Sequence, residues 1–279
     1  MKYIRFTLFL CILSFHLASH GSVACLYIFD LTAEKTTVEN LKPTQMEYGF
    51  ESIARRLSRM ESEALATGMS LSDYIQKHFL KNFIPVVKSP KGEYFVTDSH
   101  HGIHLILNGT KNPNEIPIYL KVLKDYTQPK DNKTPWTYSE FIRDLQKPVS
   151  EGGMGKAWYT KKVRTLDPVE RFKYLPESFT SMKDTPIRAL VGESLSRYGV
   201  KKRYLKDYIE FQLIDILESR YPEVSQLKFS DKNVDLVASI LFHSHEIIMF
   251  LMQNPKNPEL TKQNIESLEK AKQNFLLQN

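Results

Sequence analysis

From Thr185 to the C terminus, apolar residues recur at helical spacing almost without a break, over about 187–198, 203–221, 232–252 and 259–277. Such a run must bury its apolar stripe against other helices or a sheet. Before residue 126 the chain reads differently. Short β-prone runs, 84–88, 94–96 and 116–123, alternate with helical spacing over 49–64, from Ser70 to Phe79, and over 100–108. Strands mixed with helices, then helices alone, predict an α+β fold. Its first part is a small mixed sheet with flanking helices, over 25–126. A connector region spans 127–175, polar and proline-bearing to Pro135, helical over 136–145 and a flexible glycine loop over 151–155, and a mainly helical lobe spans 176–279.

The first 24 residues read as a removable leader. Lys2 and Arg5 precede an apolar run from Phe6 to Phe15, and small residues end it at Ser22-Val23-Ala24. A basic start, a short apolar stretch and a small-residue site describe a secretory signal peptide cleaved after Ala24. The run is about half the ~20 residues that span a bilayer. The expected protein is therefore exported, periplasmic or secreted, with no transmembrane segment after cleavage. Cys25 follows the cut, so a lipid anchor is the alternative, although Ser22 stands where a larger aliphatic residue is usual.

Losing Lys2 and Arg5 lowers the formal net charge from +6 to +4. That suits a phosphate-bearing ligand and lacks the dense basic stripe of a dedicated nucleic-acid binder. Cys11 also leaves with the leader, so Cys25 is the single remaining thiol and no intrachain disulfide can form. The fold must be held by its packed core.

Chemistry concentrates where one strand meets a helix. Phe95-Val96-Thr97 leads into Asp98-Ser99-His100-His101-Gly102-Ile103-His104. A helix that opens at His100 presents N–H groups with no intrahelical acceptor, which favour an anion. His100 and His104 share a face, and His101 points away from it. Asp98 can orient an imidazole, so the set can serve as general base and general acid beside a phosphate. His100 and His104 also have helical metal-ligand spacing, but His101 stands where a zinc-protease helix carries glutamate. A divalent metal such as Mg²⁺ stays open. Upstream, Lys42, Thr44 and Gln45 place a cation and two polar side chains before a helix. Downstream, Glu210 lies in apolar surroundings where a carboxylate needs a partner, and Arg188 with Lys201 or Lys202 are the candidates. His243 and His245, in an apolar helix, read as buried structural residues.

These motifs, in this order, resemble a known family. Leu41-Lys42-Pro43-Thr44-Gln45 with Gly49, Ile84-Pro85-Val86-Val87 and Tyr94-Phe95-Val96-Thr97-Asp98-Ser99-His100-His101 resemble the ParB-like nucleases of the ParB/sulfiredoxin superfamily. The likeness continues through Lys183-Asp184-Thr185-Pro186-Ile187-Arg188, Tyr198-Gly199-Val200-Lys201 and Ile209-Glu210-Phe211. The resemblance implies a compact lobe that binds a nucleotide or phosphate. The expected function is phosphoester hydrolysis on a nucleotide, nucleic acid or other phosphate-bearing partner. Asp98, His100, His101 and Glu210 would be catalytic, and Lys42, Thr44, Gln45, Ser99, His104, Asp184, Arg188 and Lys201 would bind the ligand. The alternative is a non-catalytic secreted protein that keeps the fold to bind a ligand or partner.

Overall fold

The computed structural model describes residues 34–131, 133–148, 151–205 and 209–278. The expected leader and Cys25 lie outside the described residues. The first strands are short: β1 (Lys35–Thr36), β2 (Leu41–Pro43) and β3 (Glu47–Tyr48). Then come α1 (Phe50–Ala66), α2 (Leu71–Lys81), β4 (Ile84–Lys88), β5 (Tyr94–Val96), α3 (His100–Gly109) and β6 (Ile118–Asp125). Five strands form one sheet in the order β1-β6-β4-β5-β2. β4 and β5 form an antiparallel hairpin, while β2 joins β5, and β6 joins β4, in parallel.

Alternation along the strands assigns the two faces. Leu41, Ile84, Val86, Val96, Ile118 and Leu120 pack with Ile53, Ile75, Phe79 and Ile103 of α1, α2 and α3. Phe95 and Val87 face the other way, against Tyr126 and against Phe141, Ile142 and Leu145 of α4 (Tyr138–Gln146). The helix expected over 136–145 within the connector region is α4, which opens on a reciprocal Thr137–Glu140 cap. The region also holds the short helices α5 (Lys161–Arg164) and α6 (Pro168–Phe172).

The helical part follows β7 (Lys183–Asp184), which pairs in parallel with β3. Its helices are α7 (Pro186–Arg197), α8 (Ile209–Arg220), α9 (Asp231–His243), α10 (His245–Met252) and α11 (Thr261–Gln278). One apolar core joins them, built on Leu190, Val191, Leu213, Leu217, Val237, Leu241 and Phe275. The long helix expected over 232–252 is two, bent by 78° where the Ser244 side chain caps α10. The bend turns His243 and His245 outward, so both are exposed rather than buried. Among the described residues no single helix is long and apolar enough to cross a membrane.

Helix α1 meets α7 at Gly49, where an added Cβ would come within 3.0 Å of the Ala189 backbone nitrogen. A backbone atom in a helix cannot swing aside. Gly49→Ala is expected to cost about 1–3 kcal/mol through overpacking. A thermal midpoint equal to that of the unsubstituted protein would show instead that the helices separate freely.

Candidate functional site at the head of helix α3

Thr97, the residue after β5, is fully buried, its N–H and hydroxyl both donating to the Pro85 carbonyl. Asp98 then turns outward, and its Oδ1 accepts the Ser99 N–H at 2.5 Å rather than holding an imidazole. Ser99 sits in the left-handed region at φ 70°, ψ 24°, which any residue other than glycine adopts at a cost. This kink aims the first turn of α3 at a cavity of about 680 Å³.

The three histidines of α3 take separate roles. His100 is buried, and its Nε2 accepts the Thr44 N–H at 3.0 Å. Thr44 Oγ1 donates to the Val96 carbonyl at 2.7 Å, so Thr44 and His100 lock β2 to β5 and α3. With Nε2 accepting, the neutral ring carries its proton on Nδ1, which is buried with no hydrogen-bond partner among the described residues. His104 is buried one turn on, stacked on Tyr48 at 3.9 Å with Phe179 at its edge. His101 alone of the three also feels the charges of Glu210 and Lys202.

The charged wall of the cavity comes from the helical part. Arg188 is only 8% exposed; its guanidinium donates to the Glu47 carbonyl and to Gln45 Oε1 and lies over Phe211 at 4.1 Å. Glu210 is paired with Lys202 at 2.7 Å. Gly192 lies one turn beyond Arg188, where a Cβ would sit in ordinary contact with Lys202 Nζ at 3.4 Å. Burial would push the Glu210 carboxyl up, but Lys202, Arg188 and His101 bring it below the usual carboxylate range. Burial and then Arg188 hold His101 down to about 3 against the opposing pull of Glu210, and the same two causes hold His104 down to about 4. His100 lies well below its ordinary value, again through burial and then Arg188.

These shifts make a stability prediction with a definite sign. Below the ordinary histidine value of 6.5 the unfolded chain takes up protons that the folded chain refuses. Stability is whole above that value and is lost as pH falls toward about 4 and then 3. Each histidine costs about 1.4 kcal/mol per pH unit once its unfolded form is protonated. Thermal unfolding is expected to move steadily to lower temperature from pH 6.5 downward. A midpoint flat to pH 4.5 would overturn the assignment.

Several expected ligand residues lie elsewhere. Lys42 faces the opposite side of the sheet, paired with Glu93 at 2.6 Å and near Phe95. Asp184 accepts the Phe50 N–H at 2.8 Å, at the start of α1. Lys201 is exposed and donates its backbone N–H to Ser267; its neighbour Lys202 reaches the cavity. Thr44 and His104 are buried behind the site. Of the expected set, Gln45, Asp98, Ser99, His100, His101, Arg188 and Glu210 line the cavity. Sequence reading missed Arg55, Arg56, Lys156 and Glu193, which line it too. The available signal was the Arg55-Arg56 pair at the edge of the apolar stripe of α1. Among the described residues no three His, Cys, Asp or Glu side chains converge as a metal site.

Comparison with known proteins agrees with this architecture. The family model described as "Putative ParB-like nuclease" matches residues 34–219. The crystal structure of protein Atu1540 from Agrobacterium tumefaciens is similar over 77% of this chain and 93% of its own, with a TM-score of 0.51 and 17% identity. At that identity the likeness is one of fold. Among proteins with curated descriptions, none is detectably similar to this chain.

Proposed function

Since this chain belongs to the putative ParB-like nuclease family, we propose that it hydrolyses a phosphoester of nucleic acid or a nucleotide at the head of α3. The observation that carries this reading is the meeting of His101, Arg188, Lys202 and Glu210 at that helix start within one cavity. The N–H groups of the first turn and the cations beside them receive the phosphate. His101 is neutral when the cavity is empty, because burial and Arg188 oppose its charge. An arriving phosphate supplies the missing negative charge and raises the basicity of His101.

The step is then a hydrolysis with a general base. His101 takes a proton from water as the water oxygen bonds to phosphorus, and the bond from phosphorus to the leaving oxygen breaks. The imidazolium, stabilised by Glu210, returns the proton to the leaving oxygen. Arg188 and Lys202 offset the charge that builds on the phosphoryl oxygens. His100, Thr44 and Asp98 act indirectly by holding the turn in place. The leader over residues 1–24 supports export, so the substrate would be met outside the cytoplasm. The test is hydrolysis of single-stranded nucleic acid or nucleotides by the purified chain, and its loss in His101→Ala. Equal rates in the two proteins would reject the site.

A further inference from the structure

Five cations, Arg55, Arg56, Lys156, Arg188 and Lys202, line the cavity against three carboxylates, Asp98, Glu193 and Glu210. Arg55 is held by Glu193 and Asp231, each at 3.0 Å, and Lys202 by Glu210. Two other lining cations, Arg56 and Lys156, have no carboxylate partner among the described residues. Both are partly buried, where an unpaired charge is costly to keep. They reach the cavity from different elements. Arg56 stands on α1 close to His78 of α2, another lining residue whose proton affinity is lowered by burial and then by Arg56. Lys156 lies on the segment whose N–H groups bond the Leu145 and Thr44 carbonyls, beside Gln45. The α3 turn supplies a third part of the wall.

We propose that Arg56 and Lys156 are flanking phosphate subsites, and that the ligand is a strand with consecutive phosphodiesters crossing the α3 turn, not a lone mononucleotide. This rests on the hydrolytic reading above and specifies its substrate class. At about 680 Å³ the cavity falls among sites that enclose a whole organic ligand, far larger than one phosphate needs.

The test uses the full chain carrying His101→Ala, so that a strand is not consumed. Binding of a labelled single-stranded oligonucleotide of about ten residues is followed by fluorescence anisotropy against salt, with a 5′-mononucleotide as competitor. The strand is expected to bind more tightly than the mononucleotide. Arg56→Gln and Lys156→Gln should each weaken the strand about fivefold at low salt. Each should also reduce the salt slope by about 0.7, the share of one phosphate contact. The mononucleotide should lose less than half as much. A strand no tighter than the mononucleotide, or equal losses for both ligands, overturns the flanking subsites and leaves the hydrolytic reading standing. Failure of both ligands to bind overturns both.

Discussion

His101→Ala is expected to cut hydrolysis about 10²- to 10⁴-fold, the usual contribution of a positioned general base, while the chain stays folded. The fold survives because His101 is partly exposed and makes no side-chain hydrogen bond among the described residues. His100→Ala should behave differently. It removes the acceptor of the buried Thr44 N–H and is expected to cost stability, at about 1–3 kcal/mol for the orphaned donor. The pH profile then separates His101 from an ordinary surface imidazole. Its base form is present above about 3 in the free protein, because burial and Arg188 disfavour the charged form. kcat/KM should therefore show no acid limb near 6.5, while kcat should show one at higher pH than kcat/KM, since bound phosphate raises the basicity of His101. An acid limb in kcat/KM at the ordinary histidine value would exclude His101 as the base.

What could be read from the residues was whatever repeats. The 84–88 and 94–96 hairpin, the Ser70 cap on α2 and the opening of α3 at His100 all rest on local chemistry that spacing and turn residues announce. Failure came where one residue decides a direction. β2 has only three residues, too few to show alternation, so the outward turn of Lys42 became evident only from its register opposite Phe95. Lys201 and Lys202 enter a 3₁₀ turn side by side, and a single step of that turn decides which reaches Glu210. The β3–β7 pair is two residues long on each side and carries no pattern, yet it ties the two halves of the sequence together. Arg56 and Lys156 become neighbours of the α3 turn only through tertiary packing, so their adjacency in the cavity has no local signal.

Arg188→Leu should have the largest effect on stability, and it tests whether one side chain sets both the packing and the protonation of the site. Arg188 is 8% exposed, and its removal strands the Glu47 carbonyl and Gln45 Oε1 while leaving Phe211 without its overlying cation. Stranded acceptors and the lost cation–π contact together are expected to cost about 3 kcal/mol. For a chain of this size that lowers the thermal midpoint by about 10 °C. Leucine also removes the positive charge that, second to burial, holds His101 down to about 3 and His104 down to about 4, so both should titrate at higher pH by NMR. Arg188→Lys distinguishes the two effects. Lysine keeps the charge but not the planar fork that reaches Gln45 and Glu47 together while stacking on Phe211. It should lose much of the stability and leave the histidines titrating low. Histidine values that rise equally in both variants would mean that packing, not charge, holds the imidazoles neutral. The phosphate-driven rise in basicity assigned to His101 would then lose its electrostatic basis.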